Sequence, residues 1–310
     1  MYILRLTVAA LLIGLFSYGV SSAQTELLLS ADESCISGSG SSFSTLYSVN
    51  PNNADAQEIG PIGFSGVSGM AFLRDGRLVG SASADANGDR ISILIEINPL
   101  TGAGSFIGTI GNNNLGGCGR VPDLTYDAAT DTLYGTGFRC VPGNDHGGIT
   151  DLLRIDQTTG QGTTIGQTGF FGGGNGLAIR SDGTLFSSEN LDFLTLNPLT
   201  GQGTLVANHP LIQDVMSAMD FSPITGELFG IEFGFGDPDN PTNLVTVNTT
   251  NAEITRIGEL PVCSDALVFF TLIPRNVPTL GEWGMISAFV GLGLIGVFYA
   301  VRRRRNSFNS

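Results

Sequence analysis

The segment Leu94-Ile95-Glu96-Ile97-Asn98-Pro99-Leu100-Thr101-Gly102, followed after a short gap by Ile107-Gly108, contains an alternating strand, a turn and the end of a second strand. A period of two sends successive side chains to opposite faces of a strand, while Asn, Pro and Gly supply the dihedrals of a tight reversal. The segment therefore predicts a β-hairpin. The same pattern occurs at Leu46-Tyr47-Ser48-Val49-Asn50 through Ile59-Gly60, Leu152-Leu153-Arg154-Ile155-Asp156 through Ile165-Gly166, Phe193-Leu194-Thr195-Leu196-Asn197 through Val206-Ala207, and Leu244-Val245-Thr246-Val247-Asn248 through Ile257-Gly258. The five Asn/Asp positions lie 48, 58, 41 and 51 residues apart.

A second hairpin alternates with the first. Met70-Ala71-Phe72, Leu124-Thr125-Tyr126, Leu177-Ala178-Ile179 and Met219-Asp220-Phe221 each pass through a polar turn to Leu78, Leu133-Tyr134, Leu185-Phe186 and Leu228-Phe229. Four antiparallel strands in every repeat of this length resemble a β-propeller blade. The ragged ends set the count. Leu267-Val268-Phe269 forms an inner strand with no hairpin after it, while Glu26-Leu27-Leu28-Leu29 and residues 46–60 form three outer strands with no inner strand before them. Joined, they give a fifth blade, so the expected fold is all-β, a five-bladed propeller closed by N-terminal strands. Closure removes the open edges that invite aggregation.

Composition agrees with a turn-rich β protein. The 310 residues include 44 Gly, 13 Pro and only 14% charged residues, which disfavours long helices and a disordered acidic chain alike. Residues 24–275 carry 27 Asp/Glu against 9 Arg and no Lys. Such a surface repels phosphate backbones, so nucleic acid is excluded as a partner.

Both ends read as targeting segments. Arg5, the apolar run from Leu6 to Val20 and the small residues Ser21-Ser22-Ala23 predict a signal peptide over residues 1–23, with an uncleaved anchor as the alternative. The propeller domain is then 24–275. Residues 276–283 form a linker, an apolar helix over 284–301 is just long enough to span a bilayer, and 302–310 form a basic tail led by Arg302-Arg303-Arg304-Arg305. Trp283 at one end and the arginines at the other orient the helix with its C-terminus in the cytoplasm and the body outside.

Val277, Pro278, Thr279, Leu280, Gly281, Glu282, Trp283 and Gly284, with the span and the Arg cluster, resemble the IPTL-type sorting tails handled by bacterial exosortases. Val277 and Gly281 depart from the usual Ile and Ser. The resemblance covers only 277 to about 305. It implies a Gram-negative envelope protein held in the inner membrane facing the periplasm, or at the cell surface or secreted after processing, and an exosortase-like enzyme as partner.

The cysteines extend the ring argument. Cys118 precedes the first strand of its blade and Cys140 follows the second; Cys263 and Cys35 bear the same relation across the closing blade. Bridges Cys118–Cys140 and Cys35–Cys263 are expected in an oxidising compartment.

Long connections are expected at 82–91, 137–150, 231–243 and 31–44 between second and third strands and at 109–121, 167–174 and 208–216 between repeats, all on one face, where a rigid scaffold concentrates binding residues. Five residues stand at the channel mouth just before the inner strands: Ser68, Asp123, Asn175, Ser217 and Asp265. Their oxygens could gather on a cation or polar ligand; strand capping is the alternative. Asp85, Asn87 and Asp89 have the alternating oxygens of a Ca²⁺ loop but lack the closing Glu, and Asp237 and Asp239 form a weaker pair. Only two histidines exist, His146 and His209, so a His-rich metal site is excluded. No catalytic residue is assigned. Two functions follow: a binding module for a polysaccharide or envelope protein through the acidic loop face, or a Ca²⁺-assisted hydrolase or lyase with carboxylates at the channel mouth. The shortage of histidines and of paired acids favours binding.

Overall fold

The computed structural model describes residues 24–31, 43–86, 89–111, 120–138, 148–172, 175–209, 215–233, 241–261 and 263–272. The chain divides into two compact units, Met1–Gln24 with Leu272–Ser310, and Thr25–Thr271. Apart from the end residues Gln24 and Leu272, the described strands belong to the second. The signal peptide, sorting motif, apolar span and basic tail lie outside the described residues, as do Cys35, Cys118 and Cys140.

Among the described residues twenty strands are defined. They are β1 (Gln24–Ala31), β2 (Thr45–Val49), β3 (Ala56–Pro61), β4 (Ser65–Phe72), β5 (Leu78–Ala86), β6 (Asp89–Ile97), β7 (Gly104–Thr109), β8 (Asp123–Asp127), β9 (Thr132–Phe138) and β10 (Ile149–Ile155). There follow β11 (Gly162–Phe171), β12 (Gly176–Ile179), β13 (Leu185–Glu189), β14 (Asp192–Leu196), β15 (Gly203–Asn208), β16 (Val215–Phe221), β17 (Leu228–Phe233), β18 (Asn243–Val247), β19 (Ile254–Glu259) and β20 (Ser264–Leu272). Four consecutive sheets, β4 to β7, β8 to β11, β12 to β15 and β16 to β19, are sequential antiparallel blades in an all-β propeller arrangement. The remaining strands have the order β20-β1-β2-β3. Two expected connections are largely strand: within 82–91, β5 and β6 stay paired out to Ala86 opposite Asp89, and within 167–174, β11 runs on to Phe171, paired with Ile149.

Each third-to-fourth strand pair carries a register shift at the same place, between Leu46/Tyr47, Leu94/Ile95, Leu152/Leu153, Phe193/Leu194 and Leu244/Val245. The extra residue opposite it is the apolar one of the Ile-Gly pair, so that sequence signature marks a β-bulge. The glycine that follows serves the seam between sheets. A Cβ on Gly108 would meet the Thr159 carbonyl of the next sheet's outer turn at 1.8 Å, and one on Gly258 would meet the Asn53 carbonyl at 2.9 Å. Only a residue without Cβ lets those turns dock so closely.

Apolar side chains fill the wedges between sheets. Leu94 and Ile110 pack with Leu124 and Leu153, Tyr134 and Leu152 with Leu177 and Leu194, and Phe186 and Phe193 with Met219 and Val245. Val49 and Ala54 pack with Phe229 and Leu244, and Leu46 and Ile62 with Leu78 and Ile95. Each fully buried Leu, Ile or Phe contributes roughly 1.5–3 kcal/mol. The cores therefore run between sheets, and the inner strands are held edge-on to a central axis.

Candidate functional site: the central channel

An innermost strand has one edge without a neighbouring strand, and its N–H groups there need acceptors. Asp123, at the start of β8, supplies them. Its Oδ1 accepts from the N–H of Leu124 at 2.8 Å, and its Oδ2 from those of Leu177 at 2.7 Å and Met219 at 3.1 Å. These three amides occupy equivalent positions in three successive sheets, so one carboxyl group rivets β8, β12 and β16 together. Asp123 is fully buried. Burial raises its pKa well above the ordinary carboxylate value, against the three N–H donors, and the charge of Asp220 pushes the same way.

A second tier lies one step further along the strands. Thr125 Oγ1 accepts from the Ile179 N–H at 3.2 Å. Asp220 accepts from Phe269 N–H at 2.7 Å and from Phe221 N–H at 2.8 Å. Asp220 occupies the position filled by Ala71, Thr125, Ala178 and Val268 in the other inner strands. It remains partly open toward the channel, but the surrounding protein raises its pKa to about 7. Here the channel widens into a cavity of about 130 Å³, lined by Met70, Phe72, Tyr126, Ile179, Asp220 and Phe269 among others.

Of the residues expected at the mouth, Ser68, Asp123 and Asn175 are directed to separate partners. Ser68 donates to the Val121 carbonyl at 3.3 Å, Asp123 is engaged as above, and the Asn175 amide donates to Gly172 O at 3.4 Å. The Ser217 hydroxyl is buried without a hydrogen-bond partner among the described residues, beside a register shift in β16. Asp265 is half-buried in β20. Asp85 stands opposite Arg90 and Asp89 opposite Ala86 in the β5–β6 ladder. Asn87, Asp237, Asp239 and His146 lie outside the described residues. No group of three or more His, Cys, Asp or Glu able to hold a metal occurs among the described residues. Cys263 is buried, and its expected partner Cys35 is not among the described residues.

Several buried polar groups were not anticipated from sequence. Glu232 closes a two-point pair with Arg256, 2.5 Å to Nε and 2.8 Å to Nη2, and Glu189 at the matching position of β13 accepts from Thr150 Oγ1 at 2.5 Å. His209 stands where the other sheets carry Ile62, Ile110, Thr168 and Leu260. Its Nδ1 meets the Ala252 carbonyl at 3.1 Å and its Nε2 the Ser188 hydroxyl at 3.3 Å. A carbonyl only accepts, so Nδ1 carries the proton and Nε2 takes the serine hydrogen. Burial lowers the His209 pKa and so favours the neutral ring. With Ser188 fully buried and His209 nearly so, this Ser–His pair belongs to the core.

No protein-family model matches the chain, and no curated protein matches it. Among solved structures, it resembles a structural-genomics protein of unknown function from Bacteroides thetaiotaomicron at 11% identity and a TM-score of 0.43, covering 69% of this chain and 55% of that one. The chain thus spans about half the length of that protein. It resembles the PQQ-bound aldose sugar dehydrogenase of Streptomyces coelicolor at 13% identity and a TM-score of 0.40, covering 68% and 74% of the two chains. A luciferin-regenerating enzyme gives 14% identity and a TM-score of 0.42, covering 72% and 71%. By its own strand order and seams, the protein is a β-propeller.

Proposed function

We propose that this chain is an exported five-bladed propeller acting as a binding module of a bacterial cell envelope, presenting its acidic connection face to a polysaccharide, a protein or Ca²⁺. Ring closure through the N-terminal strands is supported by the β20-β1-β2-β3 strand order and by the Gly258–Asn53 seam, which repeats the Gly108–Thr159 seam between neighbouring blades. The apolar span, the arginine cluster and the IPTL-like tail support export, anchoring and handling by an exosortase-like enzyme.

The observation that carries binding over hydrolysis is the state of Asp123. A carboxylate that serves a metal or moves a proton must reach the substrate, whereas both oxygens of this one are engaged by backbone N–H groups of three sheets. The mouth is then a rivet, and recognition falls to the surrounding connections. The test is calorimetry of the purified chain against Ca²⁺ and envelope polysaccharides, with glycosidic and ester hydrolysis assayed in parallel. Saturable binding without turnover is expected. Turnover abolished by chelating Ca²⁺ would restore the hydrolase, and silence toward every ligand would end the binding reading. Fractionation of the producing cells, with and without an exosortase, tests the address.

A further inference from the structure

The cavity at the turn-side end of the channel has a chemistry of its own. Its lining comes from β4, β8, β12, β16 and β20 and includes the half-buried aromatic residues Phe72 and Tyr126 with Met70, Ile179 and Val268, while Phe269 lies edge-on to Phe229 in the adjoining core. One carboxyl group, Asp220, stands among them. Its two backbone bonds leave about two of a carboxylate's four acceptor positions unfilled. The described residues place no cation against it. The other titratable group lining the cavity is Tyr126, whose hydroxyl is turned away to Asp131 at the β8–β9 turn. Asp123 lies one tier deeper and adds a second acidic group to the channel.

Two acids held close to one axis, one buried and one half-buried, favour a compensating positive charge or a proton. A hard metal ion such as Ca²⁺ takes six to eight oxygens, yet the cavity offers little beyond Asp220, since the Thr125 oxygen is already engaged. Aromatic residues lining a cavity beside one anion suit a different guest, because ring quadrupoles attract an alkylated ammonium that metal-type ligands would not satisfy. At about 130 Å³ the cavity has the volume of roughly four liquid waters, enough for a cation of about five heavy atoms.

We propose that this cavity is a binding site for a small alkylammonium ion, with Asp220 as the anionic anchor and Phe72 and Tyr126 as the aromatic wall. Binding of the cation requires the Asp220 carboxyl to be ionised, so capture releases a proton. This site is separate from the connection face, and its test neither needs nor disturbs a ligand there.

The experiment is titration of the full chain with trimethylammonium and tetramethylammonium chloride, followed by NMR line broadening of the probe methyls, with sodium chloride at matched ionic strength as control. Saturable one-to-one binding is expected, weakening by roughly tenfold per pH unit as pH falls below about 7, the linkage signature of one proton exchanged per cation. Asp220→Asn should weaken binding at least tenfold at about pH 8 and remove its pH dependence. Phe72→Leu keeps the wall apolar but removes one ring, and should cost several-fold at every pH, which protects the test if the aspartate variant folds poorly. Absence of saturation in the wild type, equal displacement by sodium, or unaltered binding in a folded Asp220→Asn chain would overturn the proposal.

Discussion

The channel holds two aspartates on neighbouring tiers, one buried and one half-buried, and they differ in what surrounds them. Asp123 accepts three N–H groups from three sheets and has no open surface. Asp220 accepts two, from its own strand and from β20, and faces a cavity. Burial raises the pKa of both. The difference teaches that acidity inside a propeller axis has two uses: an acid saturated by edge amides is mechanical, and an acid with unfilled acceptor positions beside a void is available to a ligand or a proton.

Removing the mechanical acid should do the most damage. Asp123→Ala orphans buried amides in β8, β12 and β16, and each orphan costs about 1–3 kcal/mol. We expect a loss of about 4 kcal/mol or more in urea unfolding, with failure to fold as the limiting result. Asp220→Ala should cost less, about 2–3 kcal/mol by the same arithmetic over two amides. Equal losses at the two positions would erase the distinction.

Titration sharpens it next. A carboxyl whose folded pKa is raised stabilises the fold fully below its unfolded pKa near 4, and that contribution disappears as pH rises through the folded value. For Asp220 the window is about pH 4 to 7, and the change is up to about 4 kcal/mol at 1.36 kcal/mol per unit. Exposed acids act oppositely at the low end. The Arg77 side chain holds Asp75 below the usual range, and Arg180 does the same for Asp182. Their contribution is present above about pH 4 and lost as pH falls further. Thermal unfolding should therefore show greatest stability near pH 4–5, with a decline toward neutrality. In Asp220→Asn, which keeps an acceptor without titrating, that decline should shrink. A wild-type Tm that is flat from pH 5 to 7 would refute the assignment.

Much of this frame was legible in the residues. The hairpin pattern around Asn98 and Asp156, and the unmatched strands at 26–29 and 267–269, anticipated the sheet order, because alternation and turn chemistry are local signals. The Ile-Gly signature was visible, but not its double function as bulge and seam, which needs the next sheet's turn to be in place. Asp123 was named as a mouth residue, with capping as the alternative. Its bonds to Leu177 and Met219 span 54 and 96 residues and leave no periodic trace. Asp220 was passed over inside Met219-Asp220-Phe221 as one more strand residue. The available signal was an acid where other repeats carry Ala, Thr or Val.

Thr125 is the weakest member of the axial set and the finest test of the comparison. It occupies the position of Asp220 two sheets away, on β8 rather than β16, and its hydroxyl serves a single amide, that of Ile179. Thr125→Val preserves shape and burial while orphaning that one N–H, so the expected loss is about 1 kcal/mol in denaturant midpoint, with no change in pH dependence. Thr125→Ser keeps the acceptor and should retain the bond, losing only the packing of one methyl. Thr125→Asp is the decisive variant: it places beside the cavity an acid with one edge amide to accept. If burial on the axis, offset by few amides, is what makes Asp220 titrate near neutrality, this chain should show a second carboxyl titrating above the ordinary range and a steeper stability loss between about pH 4 and 7. An ordinary carboxylate titration at position 125 would mean that Asp220 owes its behaviour to its particular strand and not to its place on the axis.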